Sequence, residues 1–312
     1  MISKDMEHIP VFLEICIENL NIKPDGTYLD GTLGLGGHAG KIAEKLDSGK
    51  LIAIDRDAAA IEESKKRLAK YEGRITYIHA NFRHIAAILD ELDIDAVDGM
   101  LFDLGVSSPQ LDDAGRGFSY MKDAMLDMRM DKREALTAYD IVNGWSEEEL
   151  RRIFGEYGEE RYSGRIAHAI VKRRAEEKIK TTFDLNSVIL SAIPPAARRE
   201  QQHPSKRCYQ SLRYACNEEI ESIDDMLKSA PDRLKPGGRI CVISFESISD
   251  RRVKNAFSSR INGCVCPKGL PVCACGFVPT LRLVAKKPIV PDEAELRNPR
   301  SRSAKLRVAE RV

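Results

Sequence analysis

The sequence predicts an α/β fold in which a Rossmann-like domain with a parallel sheet is interrupted by an inserted all-α domain. Four short apolar runs between residues 27 and 103 alternate with stretches of helical periodicity. The alternation then stops for about a hundred residues and resumes with the apolar run Arg239–Phe245. Strands that alternate with helices form parallel sheets with right-handed crossovers.

The predicted strands between residues 27 and 103 have a polar residue at the carboxyl end. They are predicted at Thr27–Asp30, Leu51–Asp55, Ile75–His79 and Val97–Asp103. Three of the four end in Asp. Because ligands of open α/β sheets bind beyond the carboxyl ends of the strands, Asp30, Asp55 and Asp103 are expected to line one crevice.

The interruption contains helix signals in place of strands. A capping box that begins at Ser146 predicts a helix over Glu147–Tyr157, and a basic amphipathic helix is expected over Arg161–Lys178. Thr182 is the expected cap of a third helix, Phe183–Ile193. The insertion is therefore predicted to be helical throughout.

The α/β pattern returns after the insertion and completes the sheet. A helix is predicted over Glu218–Leu234, followed by a Pro-Gly-Gly turn and the strand Arg239–Phe245. Two further runs, Leu281–Lys286 and Lys305–Ala309, are expected to pair antiparallel at the sheet edge. We accordingly assign residues 1–106 and 208–312 to the sheet domain and residues 107–207 to the insertion.

The formal net charge of +1 conceals an uneven distribution of charge. Residues 161–213 contain twelve Lys or Arg and four acidic residues, a local charge of +8, and residues 281–312 contain nine and four, a local charge of +5. Basic segments of this size neutralise phosphates and favour a polyanionic partner. Solvated helix faces would give the same pattern, so charge alone does not show whether the chain binds a polyanion.

The chain has no sequence signal for export or membrane insertion. No apolar run approaches the roughly 18 residues of a membrane span, and the amino terminus lacks the layout of a signal peptide. We therefore expect a cytoplasmic protein with no membrane partner and with reduced cysteines. Four of the eight cysteines form the pattern C-x-C-x6-C-x-C, namely Cys264, Cys266, Cys273 and Cys275. Structural zinc and a loop of small reduced thiols are both open interpretations of this pattern.

A glycine-rich loop, residues 31–37, connects the first strand to the next helix. Gly34, Gly36 and Ala39 fit the dinucleotide fingerprint G-x-G-x-x-A, and Asp55 follows about 20 residues later, where it could hold a ribose. A nicotinamide-dependent oxidoreductase is therefore one interpretation of the loop.

Asp30 favours a different nucleotide. It precedes the glycines at a strand end, where a carboxylate can accept the ammonium group of an amino acid, while Asp55 can bind both ribose hydroxyls. A nucleoside that carries an amino acid, such as S-adenosyl-L-methionine, matches this pair. The Pro-Gly-Gly turn and the antiparallel edge pair also resemble class I methyltransferases more than dehydrogenases.

Seven motifs in order along nearly the whole chain make the resemblance specific. They are His8-Ile-Pro-Val11, Asp30-Gly-Thr-Leu-Gly-Leu-Gly-Gly-His38, Leu101-Phe-Asp-Leu-Gly-Val-Ser-Ser-Pro-Gln-Leu-Asp-Asp113, Gly117-Phe-Ser119, Leu126-Asp-Met-Arg-Met130, His203-Pro-Ser-Lys-Arg207 and Asn298-Pro-Arg-Ser-Arg-Ser-Ala-Lys-Leu-Arg307. With them the chain resembles the ribosomal small subunit methyltransferase H family, also called MraW.

The resemblance implies a class I methyltransferase domain with an inserted helical substrate domain. It implies transfer of a methyl group from S-adenosyl-L-methionine to N4 of a decoding-centre cytidine in 16S ribosomal RNA, with that RNA or the small ribosomal subunit as partner. The oligomeric state is left open, a dimer included. The cofactor positions that follow from the family and from the strand ends are Asp30, Gly34, Gly36, Gly37, His38, Asp55, Phe82, Asp103 and Gln110.

The catalytic assignment rests on the end of the fourth strand and the loop after it. Asp103 and the Ser107-Ser108-Pro109 segment are placed to orient the target amine and to accept its N–H bonds. The Ser-Ser-Pro sequence is a loose analogue of the Asp/Asn-Pro-Pro-aromatic loop of amino-methylating enzymes. No metal ion is required for this chemistry.

The chain departs from the family after its fifth strand. The family usually has Ser-Phe-His-Ser-Leu-Glu-Asp where this chain has Ser244-Phe-Glu-Ser-Ile-Ser-Asp250, so Glu246 replaces a His and Ser249 replaces a Glu. A carboxylate near the target nucleotide would repel RNA. A divergent paralogue that methylates another RNA, or a non-catalytic RNA-binding factor, is therefore an alternative to the family's activity.

Overall fold

The computed structural model describes residues 10–107, 110–111, 113–196, 198, 203–267 and 274–312. It divides into two compact units, one formed by Met1–Gly105 with Ser222–Val312 and the other by Val106–Glu221. The described part of the chain contains no helix that is long and apolar enough to cross a membrane.

The first unit is built on a seven-stranded sheet with the order β3-β2-β1-β4-β5-β7-β6. The strands are β1 Thr27–Asp30, β2 Lys50–Asp55, β3 Ile75–His79, β4 Val97–Asp103, β5 Leu234–Ser244, β6 Leu281–Leu283 and β7 Lys305–Arg311. Strands β1 to β5 are parallel, and β7 pairs antiparallel with both β5 and β6. The predicted α/β class and antiparallel edge are thus confirmed, and the fold is that of a class I methyltransferase.

Strand β5 begins earlier than the sequence predicts. It starts at Leu234, which pairs with Val97, and the pairing then shifts register before Arg239 pairs with Gly99. The Pro-Gly-Gly segment is therefore an irregularity inside the strand and not a turn before it. Gly237 has a φ of +77°, a backbone conformation that glycine adopts at no steric cost.

Helices cover both faces of this sheet. They are α1 Leu13–Leu20, α2 Gly37–Lys45, α3 Ala58–Arg67, α4 Ile85–Glu91, α10 Glu219–Ser229 and α11 Ser247–Asn262. One buried cluster joins the sheet to apolar residues of α1, α2 and α3, and a second joins the opposite face to α4, α10 and α11. The central strands are consequently apolar on both sides, which is why their sequences are continuous hydrophobic runs.

The second unit is helical, as predicted. Its helices are α5 Ala138–Gly144, α6 Glu147–Glu156, α7 Ser163–Glu176, α8 Thr182–Ala192 and α9 Ser205–Cys216. The capping box at Ser146 is present. The predicted cap of α8 is wrong by one residue: Thr181 caps the helix, and Thr182 is its buried first residue, with its hydroxyl donating to the Lys122 carbonyl at 2.7 Å. Adjacent threonines carry the same capping signal, so the sequence could not separate them.

The second unit extends past residue 207 because α9 packs against its other helices and loops. The Cys216 thiol lies 3.2 Å from the Leu136 carbonyl. Asn217, which is 2% exposed, donates to the Met128 carbonyl and accepts from the Met130 N–H, both at 2.7 Å. These contacts join the end of α9 to a loop almost ninety residues earlier, a pairing that sequence periodicity does not encode.

We expect Asn217→Ala to destabilise the second unit by about 2–3 kcal/mol, because it removes the side-chain hydrogen bonds to two buried backbone groups. Trp145 is the single Trp of the chain and lies in this unit, so its fluorescence in a urea titration reports the loss. The exposed Glu148 provides a control, since Glu148→Gln should leave the midpoint within experimental error. An unchanged midpoint in Asn217→Ala would contradict the assignment.

Candidate active site

Three carboxylates converge at the carboxyl edge of the sheet, as the strand ends predict. The register pairs Asp30 with Ala53 of β2 and with Leu101 of β4. Asp55 and Asp103 lie two residues beyond these partners, so they have the same parity along their strands. Because strand side chains alternate, all three carboxylates belong to one face of the sheet, at its carboxyl edge.

Two of these carboxylates have an oxygen that is shielded from solvent and has no hydrogen bond within the described part of the chain. Asp30 is 1% exposed, and its Oδ1 accepts from the Thr32 N–H at 3.0 Å. Its Oδ2 and the Oδ1 of Asp103 are shielded from solvent and have no hydrogen-bond partner among the described residues. Burial raises the pKa of Asp30 to about 7, with repulsion from Asp55 adding to the shift. Burial also raises the pKa of Asp103 to about 7, and repulsion from Asp30 contributes.

The glycine-rich loop is held at the crevice by its own backbone groups. The Leu33 N–H donates to the Ile54 carbonyl at 2.9 Å, and the Gly34 carbonyl accepts from the Ser64 hydroxyl at 2.7 Å. Gly34 and Gly36 have φ values of +51° and +78°, which side chains with a Cβ rarely adopt. Helix α2 begins directly after Gly36, so the glycine-rich loop leads into the amino terminus of that helix.

Asp55 has a structural role that the sequence did not predict. Its Oδ2 accepts from the Gly34 N–H at 2.7 Å and its Oδ1 accepts from the Asp57 N–H at 2.8 Å. Burial raises the pKa of Asp55, and these two N–H donors partly offset the shift. A carboxylate has about four acceptor positions, so lone pairs remain for ligand hydroxyls.

Comparison with known proteins identifies the family. The family model described as the MraW methylase family matches residues 5–312. The chain belongs to this family. It is 49% identical over 310 residues to the Ribosomal RNA small subunit methyltransferase H of Clostridioides difficile, covering 99% of this chain and all of that protein. It is 52% identical over 309 residues to the protein of the same name from Halothermothrix orenii, covering 98% and 99%.

Membership of the MraW methylase family sets aside the nicotinamide interpretation and makes S-adenosyl-L-methionine the cofactor. The residues present fit this group. The shielded oxygens of Asp30 and Asp103 lack a positive partner, and the ammonium of the methionine moiety is a cation with several donors. The positive-φ glycines let backbone approach a ligand closely, as a nucleoside requires.

The remaining cofactor positions of the MraW family differ in their surroundings. The buried His38 ring has its Nε2 3.2 Å from the Val11 carbonyl. Phe82 lies just after β3 and packs edge-on against Phe102, with a centroid distance of 5.8 Å. A Cβ on Gly37 would come within 2.2 Å of the Pro10 ring, so that glycine is required for packing. For these three residues the structure shows a packing role, and cofactor contact stays a prediction.

Gln110 and Ser107 belong to the second unit and contact each other. The buried Gln110 side chain accepts from the Ser107 N–H through Oε1 at 3.1 Å, which fixes the beginning of this unit. Ser108 and Pro109, predicted with Ser107 to act in catalysis, lie outside the described residues. Of the four cysteines for which structural zinc was one open interpretation, Cys264, Cys266 and Cys275 lie together and Cys273 is outside the described residues.

Thr32 and Ser64 contribute to the site although the sequence analysis did not single them out. The Thr32 hydroxyl accepts from the Asp103 N–H at 2.6 Å and lies 3.5 Å from Asp30 Oδ1, so it links the ends of β1 and β4. Ser64 is fully buried on α3 and supports the loop. The position of Thr32 one residue after Gly31 was a usable signal, whereas nothing in the sequence distinguishes Ser64 from an ordinary helical Ser.

We expect binding of S-adenosyl-L-methionine to weaken about five- to tenfold between pH 7.5 and pH 6. The ammonium favours charged carboxylates, and protons compete for Asp30 and Asp103 as the pH falls through their pKa of about 7. Calorimetry at both pH values measures this change. 5′-Methylthioadenosine, which has the nucleoside without the amino acid, is the control and should bind equally at both. An equal pH response for the two ligands, or none for the cofactor, would exclude the carboxylates as the ammonium site.

Proposed function

We propose that this chain transfers a methyl group from S-adenosyl-L-methionine to N4 of a decoding-centre cytidine in 16S ribosomal RNA, in the cytoplasm. The observation that carries the proposal is the pair of carboxylates, Asp30 and Asp103, with shielded, unbonded oxygens at the carboxyl ends of β1 and β4. Whole-length membership of the MraW methylase family supports methyl transfer, and the names of the relatives support a small-subunit RNA.

The mechanism follows from the chemistry of the target amine. The bound cofactor supplies an electrophilic methyl group on a sulfonium. The N4 lone pair of cytosine is conjugated with its ring, so the protein has to orient the amine and accept its N–H bonds. Asp103 ends β4 with an unbonded oxygen, and its pKa of about 7 suits a group that accepts a proton at neutral pH. We assign Asp103 to this role in addition to the contact with the ammonium that it shares with Asp30, and we assign Asp55 to the ribose.

The basic segment of the second unit separates into structural and exposed charges. The Arg174 guanidinium donates to two backbone carbonyls at 2.6 and 2.7 Å, and Arg213 forms a buried ion pair with Glu219 at 2.8 Å. Arg165 and Lys172 are exposed, and they lie seven residues apart on the same side of α7. We propose that this exposed side of α7 contacts phosphates of the RNA.

The carboxyl-terminal basic segment, residues 281–312, has less unpaired positive charge than its sequence suggests, because several of its basic side chains form ion pairs. Lys305 and Arg307 both bind Asp250, at 3.1 and 2.6 Å, and Arg282 binds Glu310. Within the first unit, the Asp250 pairs connect β7 to α11, and the Glu310 pair connects β6 to β7. We therefore assign the electrostatic part of RNA binding mainly to the second unit.

The activity is tested on small ribosomal subunits from a strain that lacks the corresponding methyltransferase, with mass mapping of the product. We expect one N4-methylated cytidine in the small-subunit RNA. Asp103→Asn should keep the fold and lower single-turnover transfer by tens to thousands of fold, about 2–4 kcal/mol of transition-state stabilisation.

Asp98 of the same strand provides a structural control. Its carboxylate accepts from Lys235 and from the Thr27 N–H, so Asp98→Asn should lower the melting temperature while activity follows the folded fraction. Methylation of another base or another RNA would support the divergent-paralogue alternative. RNA binding without any transfer would support the non-catalytic factor, and a folded Asp103→Asn enzyme with normal turnover would remove Asp103 from the mechanism.

We expect the double substitution Arg165→Glu with Lys172→Glu to weaken RNA binding and to reduce its salt dependence, lowering the slope of log K against log salt by about one to two. Filter binding at several salt concentrations measures both quantities. Lys45→Glu with Lys50→Glu is the matched control, because it makes the same charge change at exposed positions by the amino end of β2. Equal losses in the two double variants would indicate a nonspecific charge effect.

A further inference from the structure

The loop between α11 and β6 brings three cysteines together. The Sγ atoms of Cys264, Cys266 and Cys275 all lie within 4.8 Å of one another. The distance between the sulfurs of Cys264 and Cys275 is 3.6 Å, far longer than the roughly 2.05 Å of a disulfide. Thiolates around one tetrahedral zinc ion, each at about 2.3 Å from the metal, are about 3.8 Å apart. The observed spacing is thus that of ligands to a single ion.

The backbone of the loop supports this arrangement independently of any metal. Gly263 comes directly before Cys264, and a Cβ there would come within 2.2 Å of the Ser259 carbonyl. Gly276 comes directly after Cys275 and has a φ of +68°. At the base of the loop, the Thr280 N–H donates to the Arg260 carbonyl at 3.0 Å. The chain is therefore turned sharply on both sides of the cysteines.

The contacts of the sulfurs are those expected of thiolate ligands. The Ala274 N–H donates to the Cys266 sulfur at 3.2 Å, a bond that stabilises negative charge on sulfur. Cys264 and Cys266 flank Val265, whose side chain is 84% exposed, so the thiols lie on one side of the chain and the valine on the other. An apolar cluster would bury the valine instead.

The loop has no apolar core that could hold it in place. None of the described residues between 263 and 280 is buried, and Val278 is exposed like Val265. Segments that bury little apolar surface commonly depend on a metal or a disulfide for their structure. The sulfur spacing excludes the disulfide in this conformation. An iron–sulfur cluster would distribute these three thiolates over at least two irons and would therefore separate some of them further.

We propose that Cys264, Cys266 and Cys275 bind one structural zinc ion that fixes the loop between α11 and β6. Each thiol releases its proton to solvent on binding, and no oxidant or reductant takes part. The site belongs to the first unit and is independent of the methyl-transfer reaction, so either proposal can fail without the other.

The test uses the untagged full-length chain, purified under reducing conditions and assayed for metal by mass spectrometry. We expect about one zinc per chain in the wild type and loss of that zinc in Cys264→Ser and in Cys275→Ser. Val265→Ser is the matched control, since it changes an exposed residue of the same loop without removing a thiol, and it should retain the metal.

Cobalt titration of the demetallated wild-type chain keeps the test independent of how the variants fold. We expect thiolate-to-cobalt charge-transfer absorption together with the visible bands of a tetrahedral ion, and both should disappear on addition of zinc. Iron in place of zinc, a zinc content that the two cysteine substitutions leave unchanged, or an octahedral cobalt spectrum without charge transfer would overturn the proposal.

Discussion

Two carboxylates at the ends of adjacent strands, each with an oxygen shielded from solvent, are the constraint around which this site is built. Asp30 and Asp103 each keep an oxygen away from solvent without a partner among the described residues. Burial raises the pKa of both to about 7, with added repulsion from Asp55 on Asp30 and from Asp30 on Asp103. Groups of this kind lower the stability of a fold near neutral pH, because the charged forms are poorly solvated. Such an arrangement is expected where a bound cation compensates for it, and strongly shifted pKa values accordingly cluster at functional sites.

The shape of the crevice depends on two neighbouring residues, Asp55 and Thr32. The Asp55 carboxylate accepts a hydrogen bond from the Gly34 N–H and so holds the loop in place, and Thr32 connects the ends of β1 and β4. The loop is therefore fixed by side chains at the carboxyl edge of the sheet, where the cofactor is predicted to bind. A substitution at Asp55 would remove both a predicted ligand contact and the hydrogen bond that holds the loop, so its effect on affinity could not be assigned to one cause. Asp103 is simpler to interpret, because the described hydrogen bond at this position comes from its backbone N–H and is kept when the side chain changes.

The sequence predicted the parts of this structure that depend on periodicity and strand order. The strands of residues 27–103, the antiparallel edge and the common edge for Asp30, Asp55 and Asp103 follow from apolar runs that end in Asp. Contacts between side chains and distant backbone could not be predicted in this way. The hydrogen bonds of Asn217 to a loop almost ninety residues earlier extend the second unit beyond the expected boundary, and no local pattern marks them. Ser64 was missed for the same reason.

Counting charges along the sequence overestimates the positive surface, because it treats every basic residue alike. A guanidinium with five donors is well suited to bind carbonyls and carboxylates inside a fold, as Arg174 and Arg307 do, and those charges hold helices and strands together. Glu246 is an acidic residue that also has a structural role. It occupies the position before the first residue of α11, where a negative charge is favourable for the helix, whatever it does to a polyanion at the same edge of the sheet. Glu at this position is thus compatible with the fold. Because the predicted cofactor residues Asp30, Asp55 and Asp103 lie at the ends of β1, β2 and β4, we expect Glu246 to affect the choice of target and not the cofactor.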